Sequence, residues 1–211
     1  ILVHPDVRRM LLNIKSTNEG MRALAYWVGI HLDHARNNAD EKIREDSSDL
    51  VALLTPVVKS FLTERGFYNI SEAMQVCGGS GFTVEWSIEQ YLRDLRIAMI
   101  YEGTNHIQAL DLVGRKLPMG MGRLFKKFAG IITEHIQEHK DNDAMTEFLE
   151  PLKDASKKLT AVTMDLSAKA MQDPEVAGAI AADRRLAANS QIQGPQPHCT
   201  RQVAKSLRAD G

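Results

Sequence analysis

Apolar residues recur every three or four positions through most of the chain. Over residues 5–35 they fall at Val7, Met10, Leu11, Ile14, Met21, Leu24, Ala25, Val28 and Leu32, a spacing that puts side chains on one face of a helix. Pro5 suits the first turn, where its missing N–H has no partner to lose. Asn37, Asn38, Ala39 and Asp40 break the pattern and read as a loop. A second helix is expected to begin after the capping cluster Asp46, Ser47 and Ser48 and to run through Leu53, Leu54, Val57, Val58, Phe61 and Leu62. Pro56 should kink it or end its first turn. Gly66 interrupts the period, which resumes at Ile70, Ala73, Met74 and Val76, leaving open one bent helix or two.

Gly78, Gly79, Ser80 and Gly81 stop the pattern. Residues 85–99 form another amphipathic segment, with Trp86, Ile88, Leu92, Leu95 and Ile97 as its apolar members. After a turn at Tyr101, Glu102 and Gly103, residues 105–117 are predicted helical, and further helices are expected over 122–139 and 145–171. Alternating β-branched runs and Asn-Gly hairpins are almost absent. The predicted fold is all-α, an antiparallel helical bundle over residues 1–117 with an added helical extension over 118–183. Residues 184–211 are polar and lack a clear period, so an irregular tail is expected there.

Composition narrows the functional classes. The 211 residues carry 26 basic and 27 acidic side chains, a net charge of -1, and no basic patch that would argue for nucleic acid. The two cysteines, Cys77 and Cys199, lie far apart and without metal-ligand spacing, so reduced thiols are expected. No apolar run is long enough to span a bilayer, and no signal peptide opens the chain. The chain begins Ile1-Leu2-Val3-His4-Pro5 without an initiator methionine and reads as a piece of a longer polypeptide.

Two segments can carry chemistry. Glu102 lies between Tyr101 and Gly103 where a loop turns into a helix N-terminus. An isolated glutamate there is most often a solvated residue favoured by the helix dipole. Ile97, Met99, Ile100 and Tyr101 precede it, however, so the expectation is a carboxylate emerging from a buried segment, where desolvation favours a base for a weakly acidic C–H proton. In the run Gln75, Val76, Cys77, Gly78, Gly79, Ser80, Gly81, one or two glycines would suffice to cap a helix. Three in four positions also allow exposed backbone N–H groups to cradle a phosphate. Other candidates have plainer readings. Arg93, Asp94 and Arg96 suggest an ion-pair network bracing the bundle, and Lys126, Lys127, Lys153, Lys157 and Lys158 suggest solvated helix faces. The seven histidines, His31 and His34 among them, show no H-E-x-x-H pattern, and no metal site is expected.

The run from Gln75 to Phe82, then Arg93-Asp94-Leu95-Arg96-Ile97, then Ile100-Tyr101-Glu102-Gly103-Thr104-Asn105 with Ile107-Gln108, resembles in order and spacing the C-terminal signature of flavin-dependent acyl-CoA dehydrogenases. The resemblance covers about residues 4–117. The helices after it look like the extension of larger members, including some acting on short substrates such as methylthiopropanoyl-CoA. It implies that Glu102 is the catalytic base, taking the α-proton of an acyl-CoA while the β-hydride passes to FAD, to give a trans-2-enoyl-CoA. The Glu102 backbone N–H and a flavin ribityl hydroxyl would bind the thioester carbonyl and acidify that proton. Tyr101 would line the acyl pocket and Gly103 would pack against the substrate. Thr104, Asn105 and His106 would contact FAD, and Gln75, Val76, Cys77, Gly78 and Gly79 would bind its diphosphate region. An electron-transferring flavoprotein as electron acceptor, a homodimer or homotetramer, and a bacterial cytoplasmic or mitochondrial matrix location follow as expectations. The family's N-terminal helical and middle β domains lie outside this chain, so the chain alone is expected neither to hold FAD tightly nor to turn over. The competing reading is a non-catalytic helical bundle used for assembly or partner binding.

Overall fold

The structure is a computed structural model that describes residues 1–172, all of whose longer elements are helical. The chain divides into two compact units, Ile1–Phe128 and Ala129–Gly211. The tail expected to be irregular, residues 184–211, and Cys199 within it lie outside the described residues.

The first unit is built on two long helices, α1 (Pro5–Asn37) and α2 (Glu41–Cys77). Cross-links at opposite ends show that they run antiparallel. Asn13 Nδ2 donates to Glu72 Oε2 at 2.5 Å, Asn69 Nδ2 donates to Asn18 Oδ1 at 3.0 Å, and His31 Nδ1 lies 3.1 Å from Ser47 Oγ. Met10 and Met21 on α1 and Leu50, Leu53 and Leu54 on α2 form the buried core, each fully buried leucine worth about 1.5–3 kcal/mol.

The start of α2 corrects the sequence reading. Asp40, not the cluster at 46–48, is the cap, its carboxylate accepting from Lys42 N at 2.8 Å. Ser47 is instead buried against His31, and Asp46 pairs with Lys127 at 2.6 Å. α2 also runs unbroken through Pro56, which is buried, and through Gly66. The glycine has a packing reason: a Cβ there would lie 2.6 Å from Leu95 Cδ2, so Gly66 lets α3 (Ile88–Ala98) lie against α2. α3 does not form the expected ion-pair network. Asp94 accepts from Gln90 Nε2 at 2.7 Å, and among the described residues no ion pair reaches Arg93 or Arg96.

After α3 come α4 (Asn105–Asp111) and a π-helical turn, Leu112–Lys116, closed by Leu117 N–H donating to Leu112 O at 2.9 Å. The next helix, α5 (Met119–His139), opens on three left-handed residues, Gly120, Met121 and Gly122, so its regular part begins where the sequence placed it. Within the first unit Leu124 and Phe125 are buried, and Asp49 accepts from Arg123 Nη2 at 2.8 Å and from Lys127 Nζ at 2.5 Å. Burial alone would raise the Asp49 carboxyl, but the hydrogen bonds from Lys127 and Arg123 outweigh it and hold the group below the usual carboxylate range. Lys127 is therefore an anchor to α2 rather than part of a solvated face. In the second unit α6 spans Thr146–Gln172, and Ile136 and Leu149 are buried. No helix among the described residues is long and apolar enough to cross a membrane.

Candidate active site

Glu102 sits in a turn that the backbone defines tightly. α3 ends at Ala98, and Ile97 O then accepts from Ile100 N at 2.8 Å and from Tyr101 N at 3.1 Å. The chain reverses at Glu102, whose φ is 56°, and at Gly103, whose φ is 80°. Asn105 N donates back to Met99 O at 3.1 Å, closing the loop. Thr104 caps α4, its hydroxyl accepting from Ile107 N at 3.3 Å. The Gln108 side chain donates to Glu102 O at 3.2 Å, and a Cβ on Gly103 would come 2.9 Å from the same Nε2. Left-handed backbone at a glutamate costs about 1–2 kcal/mol, so these bonds hold a conformation the residue would not choose.

The turn borders an open groove of ≈ 440 Å³. It is lined by Glu102 and Gly103 of the turn, by Ile107, Gln108 and Asp111 of α4, and by Thr55 of α2. Arg115, bonded through Nε to Asp111 Oδ1, also lines it from the π-helical turn, a type of irregularity concentrated at functional sites. Glu102 itself is exposed, as are Ile97, Ile100 and Tyr101 before it. The burial expected of Glu102 from that apolar run is absent in this chain, because only Met99 of the run is half-buried and the rest faces solvent.

The other predicted residues fall into separate places. Tyr101 and His106 are exposed and outside the lining of the groove. Asn105 is fully buried, and its carboxamide is taken up inside the bundle: Oδ1 accepts from Lys59 Nζ at 2.8 Å, and Nδ2 lies 3.2 Å from Thr63 Oγ1. At the other segment, α2 ends at Cys77, and Gly78 N donates to Gln75 O in a left-handed cap with φ 60°. Gln75, Cys77, Gly78 and Gly79 are exposed, Val76 is half-buried, and a Cβ on Gly78 or Gly79 would meet nothing within 4 Å. Such bare, open backbone can take a close-lying phosphate group. Gly81 is different: a Cβ there would lie 2.8 Å from Met74 O, so it serves the packing of the turn onto the end of α2. Sequence reasoning did not single out Thr55 or the Asp111–Arg115 pair, which enter the groove through helix packing and through i,i+4 pairing that had no reason to stand out.

Comparison with known proteins shows the family of the chain. The family profile described as "Acyl-CoA dehydrogenase, C-terminal domain" matches residues 1–117. A 3-methylmercaptopropionyl-CoA dehydrogenase of Ruegeria pomeroyi is 41% identical over 175 residues, covering 82% of this chain and 30% of that protein. A butyryl-CoA dehydrogenase of Syntrophomonas wolfei is 38% identical over 148 residues, 70% of this chain and 24% of that protein. The chain thus spans about a quarter to a third of the curated relatives it matches. A solved structure titled "Bd2924 apo-form" shares the fold with a TM-score of 0.58 at 19% identity, over 86% of this chain and 33% of that one. With residues 1–117, more than half of its length, matched by the family profile, this chain belongs to the acyl-CoA dehydrogenase family.

Proposed function

We propose that this chain is the C-terminal part of an FAD-dependent acyl-CoA dehydrogenase that introduces an α,β double bond into an acyl-CoA thioester, with Glu102 as the general base. The observation that carries the reading is the turn at Glu102: a carboxylate held in left-handed backbone, braced by Gln108, at the rim of a groove. Strain retained at one residue is a pointer to function when the surroundings enforce it. Exposed Glu102 becomes an effective base once substrate and the rest of the enzyme exclude water around it. Its carboxylate takes the α-proton as the bond to the α-carbon breaks, and its backbone N–H is assigned to the thioester carbonyl, where a donor favours the enolate-like charge. Gly103 leaves room for the thioester, and Tyr101 lines the acyl chain.

FAD, when bound, supplies the acceptor for the β-hydride. The exposed backbone of Gly78 and Gly79, with Gln75, Val76 and Cys77 beside it, fits a diphosphate, and Thr104 and His106 are assigned to the cofactor. Asn105 fits a direct contact poorly, since its carboxamide is occupied by Lys59 and Thr63. We assign it instead to positioning the α4 N-terminus. Exposed Phe82, Val84, Trp86, Tyr91, Ile97 and Ile100 support a face that further parts of the enzyme or a second copy cover. Electrons leaving to an electron-transferring flavoprotein, a homodimer or homotetramer and a cytoplasmic location complete the proposal, as does inactivity of the 211-residue chain by itself.

The test is Glu102→Gln in the full-length polypeptide. Loss of the base should lower acyl-CoA dehydrogenation by about 100-fold or more while binding of the thioester persists. Turnover near the wild-type rate would remove Glu102 from the reaction, and absence of any dehydrogenation in the wild-type protein would favour the non-catalytic bundle.

A further inference from the structure

His135, Glu138 and His139 lie on one face of the last turns of α5, at the i, i+3 and i+4 spacing that brings helical side chains together. Each offers one ligand atom, and the three atoms lie within 4.8 Å of one another. The imidazole rings are 4.4 Å apart between centroids. A second contact prepares one of them. His139 Nδ1 lies 3.0 Å from His135 O, and a carbonyl can only accept, so the ring proton sits on Nδ1 and the Nε2 lone pair is left open. A metal-binding histidine is ordinarily fixed in this way, by a hydrogen bond from its other nitrogen to a backbone carbonyl. The site also lies at the C-terminal end of α5, where the helix dipole favours a cation.

We propose that His135, Glu138 and His139 form a binding site for a borderline divalent transition-metal ion of the Zn²⁺ class. Two imidazoles and a carboxylate suit Zn²⁺, Ni²⁺ or Cu²⁺ and disfavour Mg²⁺ and Ca²⁺, which prefer all-oxygen sets. Three ligands on an exposed face leave the remaining coordination positions to water. The order of residues is H-x-x-E-H rather than H-E-x-x-H. The glutamate is thus placed among the ligands, and the bound ion clamps the end of α5. His31 and His34 offer no equivalent: their rings are 6.3 Å apart, and among the described residues no third ligand atom gathers with them.

Isothermal titration of the 211-residue chain with ZnCl₂ tests the site, with circular dichroism confirming that each variant keeps its helices. One saturable Zn²⁺ site and a rise in melting temperature with Zn²⁺ are expected, with no comparable response to MgCl₂. The His135→Ala/His139→Ala double variant should lose both responses, Glu138→Gln should bind more weakly, and His31→Ala/His34→Ala should bind as the wild type does. Absence of saturable binding to the wild type, or binding unchanged in the double variant or in Glu138→Gln, overturns the proposal.

Discussion

The Lys59 ammonium donates a 2.8 Å hydrogen bond to the side-chain oxygen of Asn105, joining the middle of α2 to the first residue of α4. Asn105 is fully buried, and Thr63 Oγ1 and Ser60 O lie near its amide nitrogen at 3.2 and 3.5 Å. The same residue fixes the turn before it, because its backbone N–H closes the loop onto Met99 O. α2, the start of α4 and the Glu102 turn are thereby one mechanical unit. Asn105→Ala would leave the Lys59 and Thr63 groups without this partner in a half-buried setting. A loss of about 1–3 kcal/mol in urea unfolding is expected. An unchanged midpoint would mean that the buried carboxamide does not hold α4 in place.

The turn itself gives a second prediction. Glu102 has φ 56°, where glycine is at ease and β-branched residues are not. Glu102→Gly should therefore keep or raise stability, by up to about 1 kcal/mol, while Glu102→Val should lower it by about 1 kcal/mol or more. Denaturant unfolding of both variants decides the matter. If valine is tolerated as well as glycine, the left-handed turn is not the conformation the chain holds in solution. If the proposed function is right, both variants lose dehydrogenation in the full-length protein, so that stability and activity part company at one residue.

Much of the bundle was legible from periodicity, because α1 and α2 are long and their apolar stripes have one dominant partner. Pro5 marked the start of α1 correctly. The start of α2 was misplaced because Asp46 and Ser47 look like caps but serve tertiary contacts, with Lys127 and His31. No local rule distinguishes those uses. Gly66 read as an interruption, yet its cause is Leu95, twenty-nine residues later in sequence and invisible to a window along the chain. At the site, the motif around Glu102 located the turn. The apolar residues before it suggested burial, because hydrophobicity reports a need for cover without saying which chain supplies it. Asn105 read as a ligand contact, and only the packing of α4 on α2 reveals where its amide goes. His135, Glu138 and His139 follow the order H-x-x-E-H, which the pattern H-E-x-x-H does not match, so their shared helix face stands out only in three dimensions.

The glycine-rich turn separates packing from binding. Gly79 has open space where a Cβ would go, whereas at Gly81 a Cβ would press on Met74 O at 2.8 Å and on Cys77 Cβ at 2.9 Å. Gly81→Ala must move backbone and should cost about 1–3 kcal/mol. Gly79→Ala should leave thermal unfolding of the chain nearly unchanged, yet weaken retention of FAD by the full-length enzyme, since the added methyl stands where a diphosphate would approach. Equal destabilisation by the two variants would contradict the packing described for Gly81. Undiminished flavin content in Gly79→Ala would remove that position from the cofactor site.

Stability should fall in two stages as the solution is acidified. Burial, with a smaller contribution from His34, lowers the His31 pKa, so the folded chain favours the neutral ring. That contribution is complete above the ordinary imidazole value of about 6.5 and is lost as pH falls below it. The Asp49 carboxylate is held ionised by Lys127 and Arg123 against the opposing effect of burial. Its contribution is complete above the unfolded carboxylate value of about 3.9 and is lost as pH falls below that toward the depressed native value. Melting temperature should therefore decline gently below about pH 6.5 and more steeply below about pH 4. Asp49→Asn should cost about 1–3 kcal/mol at neutral pH, because Lys127 and Arg123 lose their shared anion. It should also flatten the lower stage while leaving the upper one, which Ser47 and Trp27 frame around His31, as it is. A variant that melts with the full acid slope of the wild type below pH 4 would show that the contacts of Asp49 with α5 do not carry the acid sensitivity of the first unit.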